Sequence, residues 1–244
     1  MILRSTTAAL TVLLTGLASA AAWSAAEPVV IGDIDDLSGV YADASGPGGV
    51  EAVKMAIADF GGTVLGRKIE LLTADHLNKP DIGASKFREW ADQNGLNMLL
   101  GGSNTGVSIA MSKVALAKKV PFLEIGAGGS SLSGADCTPY SIHYAYDVTG
   151  LANGTASAIV KSGGKSWFFL TADYAFGTQL QDAATKVVTA NGGKVVGSVR
   201  VPLGAADAAP YLCRHRVRPV VLERLLQVGD VYLASYRGGA VPRL

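Results

Sequence analysis

Cysteine and histidine are scarce in this 244-residue chain, which has two of the first and three of the second. An exported compartment would permit a bridge between Cys137 and Cys213, but their spacing alone does not establish one. His76, His143 and His215 are scattered and lack partners at zinc-site spacing, so no metal site is expected. An excess of one charge is missing too. The formal net charge of +1 carries no signature of nucleic-acid binding, so no nucleic-acid partner is expected. No Walker sequence is present, and GAGGSS at 126–131 has Ser131 where a dinucleotide fingerprint needs its last glycine. No cofactor is therefore expected.

What the chain has in quantity is apolar residues, 49%, and 30 glycines, enough for a sizeable core with many close turns. Residues 1–26 combine a lone Arg4, an apolar run from Ala8 to Leu17 and the small-residue segment ASAAAWSAA. This is the pattern of a secretory signal peptide, and the run is shorter than the roughly 20 residues that span a bilayer. Export is expected.

Beyond it, strand and helix patterns alternate. Apolar runs at 28–34, 68–74, 96–100, 120–125, 166–171 and 194–201 predict buried strands. Amphipathic patterns at 48–59, 80–93, 107–119, 147–161 and 178–190 predict the helices between them. That alternation is the signature of α/β architecture with parallel sheets covered by helices. Two doubly wound lobes are expected, an N-terminal one over 27–138 and a partial second one over 139–212. The end does not continue the pattern: six of ten arginines fall between Arg214 and Arg243, and none of the eleven lysines does. Residues 213–244 are expected to be an aberrant terminus, out-of-frame or otherwise foreign, with the second lobe left incomplete.

The chemistry concentrates in LNMLLGGSNTGVSIAM, residues 96–111, a strand, a tight turn and a helix start. In an open α/β sheet such a turn lies at the carboxyl edge, where the N–H groups and positive end of a helix can hold an anion. Ser103, Asn104 and Thr105 are the candidate contacts; the alternative for Asn104 or Thr105 is an N-cap alone. A second turn of this kind, PFLEIGAGGSSL, follows one strand later and offers the amides of Ala127 and Gly128. Tyr41, Tyr144, Tyr146, Tyr174 and Phe176 fall in or beside loops that follow strands and could wall a small polar ligand. Catalysis by Ser103 is the rival, with His76 or His143 as base, but Thr105 stands where a nucleophile elbow needs glycine.

The segments VVIGDIDDLSGVYADASGPGGVEAVKMAI, LLGGSNTGVSIAMSKVALAKKVPFLEIGAG and SWFFLTADYAFGTQL resemble the periplasmic solute-binding receptors of branched-chain amino acid ABC transporters, the leucine/isoleucine/valine type, over about residues 28–212. The resemblance implies two lobes joined by a hinge and closing on a ligand, in the type I periplasmic-binding fold. It also implies a periplasmic location, an amino acid, aromatic acid or amide as solute, and a membrane ABC permease as partner. Ser103 and Thr105 match the hydroxyls that hold the ligand carboxylate, Ala127 and Gly128 the second-loop contacts, and Tyr41 and Phe176 aromatic positions of the cleft. Phe176 stands where many relatives have tyrosine. A sensor domain of the same fold, or a secreted serine hydrolase, are the alternatives to a transport receptor.

Overall fold

A computed structural model describes residues 27–207, 209–214, 224–228 and 231–236. The expected signal segment, and much of the expected foreign terminus, lie outside the described residues. No helix among the described residues is long and apolar enough to cross a membrane.

The first sheet contains β1 (Val29–Asp35), β2 (Thr63–Val64), β3 (Arg67–Asp75), β4 (Leu96–Gly101), β5 (Phe122–Glu124) and β6 (Ser141–His143), in the spatial order β2-β3-β1-β4-β5-β6. Every pairing is parallel except the short β2–β3 edge hairpin. Three helices serve as the main crossovers: α2 (Pro47–Asp59), α3 (Pro80–Gln93) and α4 (Thr105–Lys118). The order reverses between β1 and β4, because one crossover from β1 runs outward to β3 and the next returns past it. Their carboxyl ends therefore border the crevice in which ligands of such sheets bind.

Alternation along β1 sends Val30, Gly32 and Ile34 to one face, against Phe87, Trp90, Leu99, Val107, Met111 and Phe122. Gly32 is required there, since a Cβ would sit 2.8 Å from the Trp90 ring. Phe87 and Phe122 meet edge to face, with centroids 6.1 Å apart. The opposite face is thinly covered: α2 buries only Val50 and leaves Met55 60% exposed.

The second sheet has β7 (Ser166–Ala172) and β8 (Lys194–Val201) in parallel, joined through α6 (Ala175–Ala190). Trp167 and Phe169 pack under α5 (Val148–Lys161) and α6, with Val160, Leu180 and Val188. On the other side of β7 runs β10 (Val231–Tyr236), antiparallel to it, and β9 (Arg224–Val228) pairs antiparallel with β10. An all-parallel second sheet is thus not what forms. Only two residues separate β9 from β10, too few for a crossover, so the pair must be antiparallel.

Four shorter features complete the trace. They are β2, α1 (Ala42–Ser45), a 3-10 turn at Ser130–Ser133 inside what reads as irregular loop, and α7 (Ala209–Arg214). β6 hydrogen-bonds to β5, so the first sheet extends to His143, past the boundary at 138 that the sequence pattern suggests. α6 also begins at Ala175, three residues before its amphipathic pattern is evident.

Candidate functional site

The turn after β4 is built by its own backbone. Gly101 and Gly102 have φ of 118° and 83°, values that side-chain-bearing residues rarely adopt, and a Cβ on Gly101 would lie 2.2 Å from the Ile34 carbonyl oxygen. Asn104 then caps α4, its Oδ1 accepting from the N–H groups of Gly106 at 2.9 Å and Val107 at 3.3 Å. Its amide nitrogen donates to Asn78 Oδ1. The side chain of Asn104 is therefore engaged in the cap, while Ser103 and Thr105 flank it.

Thr105 is 1% exposed, and its hydroxyl has no hydrogen-bond partner. Few buried hydroxyls are left so, because the lost solvation costs about 1–3 kcal/mol. The second loop closes against this turn. A Cβ on Gly126 would lie 2.9 Å from Ser103 Cα, and one on Gly129 would lie 2.2 Å from Thr105 Cγ2. Ala127 is fully buried, and its carbonyl oxygen accepts from His143 Nε2 at 2.7 Å. The two crossovers thus share one edge.

The second unit meets that edge with aromatic rings. A Cβ on Gly128 would fall 2.6 Å from Tyr146 Cε2 and 2.9 Å from Phe176 Cε2, so only glycine fits between these rings. Tyr174 stacks on Phe176 with centroids 6.0 Å apart, and its hydroxyl hydrogen-bonds that of Tyr41 across the two units. Gln179 makes the second crossing contact: its Oε1 accepts from Ser131 N–H at 3.0 Å and its amide donates to Ser131 Oγ at 3.0 Å.

Ser103, Thr105, Ala127, Gly128, Tyr146 and Phe176 therefore form one continuous neighbourhood, with Tyr41 joined to it through Tyr174. Tyr144 is largely exposed. Gln179 escapes a reading of the sequence, although its position one turn beyond Phe176 on α6 was the available signal. A hollow of about 340 Å³ between α5 and α6 shares Ser130 and Gln179 with this junction but is lined further by Asn153, Asp182 and Lys186.

Behind Ser103 lies a buried polar cluster. Asp35 Oδ1 accepts from Ser103 N–H at 3.1 Å, and His76 Nε2 sits 3.4 Å from Ser103 Oγ and 3.8 Å from Asp35 Oδ1. A serine, a histidine and an aspartate in contact invite comparison with a catalytic triad. The geometry is reversed. His76 Nδ1 accepts the Asn78 N–H at 3.0 Å, so the ring proton is on Nε2, and the aspartate lies on that same side. A base for Ser103 would need Nε2 bare and the carboxylate at Nδ1. Burial also holds the His76 pKa below its ordinary value, against the pull of Asp35, Asp36 and Asp75.

Ligand atoms of Asp36, Asp75 and His76 lie within 4.8 Å of one another. They are committed to shaping loops. Asp36 accepts from the N–H groups of Gly39 and Tyr41 and from the Asn78 amide, and Asp75 accepts from Ser38 Oγ and Leu77 N–H.

Glu124, at the end of β5, is buried behind the second loop. Ser112 Oγ donates to its Oε1 at 2.7 Å, its Oε2 has no partner, and burial pushes its pKa up against that hydrogen bond.

Comparison with known proteins agrees with this architecture. A family model described as periplasmic binding protein matches residues 28–216. A periplasmic binding protein from Burkholderia mallei is 56% identical with a TM-score of 0.75, the alignment covering 78% of this chain and 50% of that one. A solute binding protein of an ABC transporter from Rhodopseudomonas palustris, solved with 3,4-dihydroxybenzoic acid, is 28% identical with a TM-score of 0.69, covering 78% and 51%. The Leu/Ile/Val-binding protein homolog 6 of Brucella abortus is 26% identical over 200 residues, 81% of this chain and 50% of that one. The chain thus spans about half the length of the relatives it matches. With two crossovers sharing an edge at the switch point of the first sheet and a second α/β unit closing over them, this chain belongs to the periplasmic binding protein family.

Proposed function

We propose that this chain acts as the receptor component of an ABC uptake system, holding a small carboxylate-bearing solute between its two units and presenting it to a membrane permease. The observation that carries the proposal is the unpaired, buried Thr105 hydroxyl at the edge shared by both crossovers. A hydroxyl so placed gains a partner when an anion enters, and the dipole of α4 favours that anion. Ser103 supplies a second hydroxyl, the amides of Ala127 and Gly128 face the solute from the other loop, and Tyr41, Tyr146 and Phe176 wall it.

No covalent step is involved: the solute binds and leaves unchanged. Binding works by population shift, because the full set of contacts exists only when both units face each other, so solute favours the closed arrangement by its preference for it. Of the solutes the resemblance implies, amino acids, aromatic acids and amides, the first two carry the carboxylate this site is read to hold. The dihydroxybenzoate held by the Rhodopseudomonas relative and the Tyr174–Phe176 stack favour the aromatic acid. The working compartment is the periplasm, reached through the N-terminal signal segment.

Isothermal titration of the chain with 4-hydroxybenzoate, benzoate, leucine and benzamide tests this. One carboxylate is expected to bind, and Ser103→Ala with Thr105→Val together to abolish its heat. Equal heats from wild type and the double variant would refute the site.

A further inference from the structure

We infer that His76 is a positioning residue that donates to Ser103 Oγ from behind, leaving the Ser103 O–H to donate to the solute and so favouring an anion over its uncharged amide. This deepens the receptor reading above and rests on it. A backbone N–H can only donate, so the Asn78 N–H at 3.0 Å from Nδ1 requires a bare Nδ1 and leaves the proton on Nε2. That Nε2–H has Ser103 Oγ at 3.4 Å as its nearer acceptor, ahead of Asp35 Oδ1 at 3.8 Å.

Asp35 is occupied in any case, accepting from Asp36 N–H, Ser103 N–H and Ser45 Oγ at its Oδ1. Ser103 Oγ thus accepts a hydrogen bond from behind, and its own O–H cannot be spent on the ring. A hydroxyl already accepting from the ring spends its own proton on the solute, and that bond is charge-assisted and about twice as strong when the acceptor is a carboxylate oxygen rather than an amide carbonyl. His76 is fully buried and its pKa is depressed by burial, so the neutral form and its single proton persist. The second ring position is locked by backbone, which is why the tautomer does not depend on the solute.

Two measurements test this on the full chain. Long-range ¹H–¹⁵N correlation of the imidazole in the wild-type protein is expected to show the Nε2–H tautomer; the Nδ1–H tautomer would overturn the inference whatever the protein binds. Second, titration with 4-hydroxybenzoate and 4-hydroxybenzamide is compared between wild type and His76→Leu. The carboxylate is expected to weaken about tenfold while the amide changes little, cutting discrimination by the same factor. An equal loss for both probes would mean simple structural damage and would overturn the inference while leaving the receptor reading intact. Failure of the wild-type chain to bind any carboxylate would sink the receptor reading, and this inference with it.

Discussion

Asp33 offers a sharp test of how burial governs this fold. It lies on β1, 2% exposed, with Oδ1 lacking any hydrogen-bond partner, and burial together with the nearby Asp35 raises its pKa from 3.8 to about 7. The sign follows from linkage. Below pH 3.8 both folded and unfolded chains hold the proton; between there and 7 the unfolded chain loses it and the folded chain keeps it. Stability is therefore fully present at low pH and declines as pH rises through 7. At about 1.4 kcal/mol per unit the contribution reaches about 4 kcal/mol at most, a large share of the 5–15 kcal/mol typical of a domain.

Asp33→Asn keeps the volume and removes the titration. In thermal melts from pH 4 to 8, Tm of the variant minus wild type is expected near zero at pH 4 and to rise to about 10 °C at pH 8. His76, whose depressed pKa works in the opposite sense by costing stability as pH falls below its ordinary 6.5, is present in both proteins and cancels in the difference. A difference that stays flat across this range would refute the assignment of a protonated, buried Asp33.

Asn104→Ala should cost about 1 kcal/mol in urea unfolding, since two α4 N–H groups lose their acceptor, and a neutral result would show the cap contributes nothing. Gly129→Ala places a methyl 2.2 Å from Thr105 Cγ2 with ordinary backbone dihedrals, so the loss of about 1–3 kcal/mol is purely steric; Thr105→Ala in the same chain should recover part of it. Tyr174→Phe removes the hydroxyl contact with Tyr41 across the two units, worth about 1 kcal/mol, and should raise the ratio of open to closed chains about fivefold by small-angle scattering or a distance-sensitive dye pair.

Elements in both units are legible in the sequence where their signals are local. α3 runs over Pro80–Gln93 as its periodicity and Pro80 indicate, and β8 over Lys194–Val201 matches its apolar run. The start of α6 could not be read this way. Ala175 to Gly177 carry no polar face, and the first turn is set by contact: Gly177 packs so tightly that a Cβ would lie 2.1 Å from the Ala172 carbonyl oxygen. The place of β6 in the first sheet is hidden for a similar reason, since a three-residue strand shows nothing of the neighbour it will hydrogen-bond. The antiparallel β10 beside β7 is likewise a matter of pairing, which composition does not encode.

The candidate site divides along the same line. Ser103, Thr105, Ala127 and Gly128 stand out in the chain as hydroxyls and small residues directly after apolar runs, a pattern that requires no knowledge of what lies opposite. That Thr105 is left unpaired, that Gly128 is caught between Tyr146 and Phe176, and that Gln179 reaches Ser131 arise from contacts between residues about 20 to 50 positions apart. The donor that Ser103 Oγ meets is fixed indirectly, through a His76 tautomer set by a backbone N–H two residues further on. Periodicity and turn chemistry are written residue by residue, so element order and the place of the candidate edge follow from the amino acids alone. Burial, tautomer and partner are relations between distant residues, and they acquire values only when the chain has closed on itself.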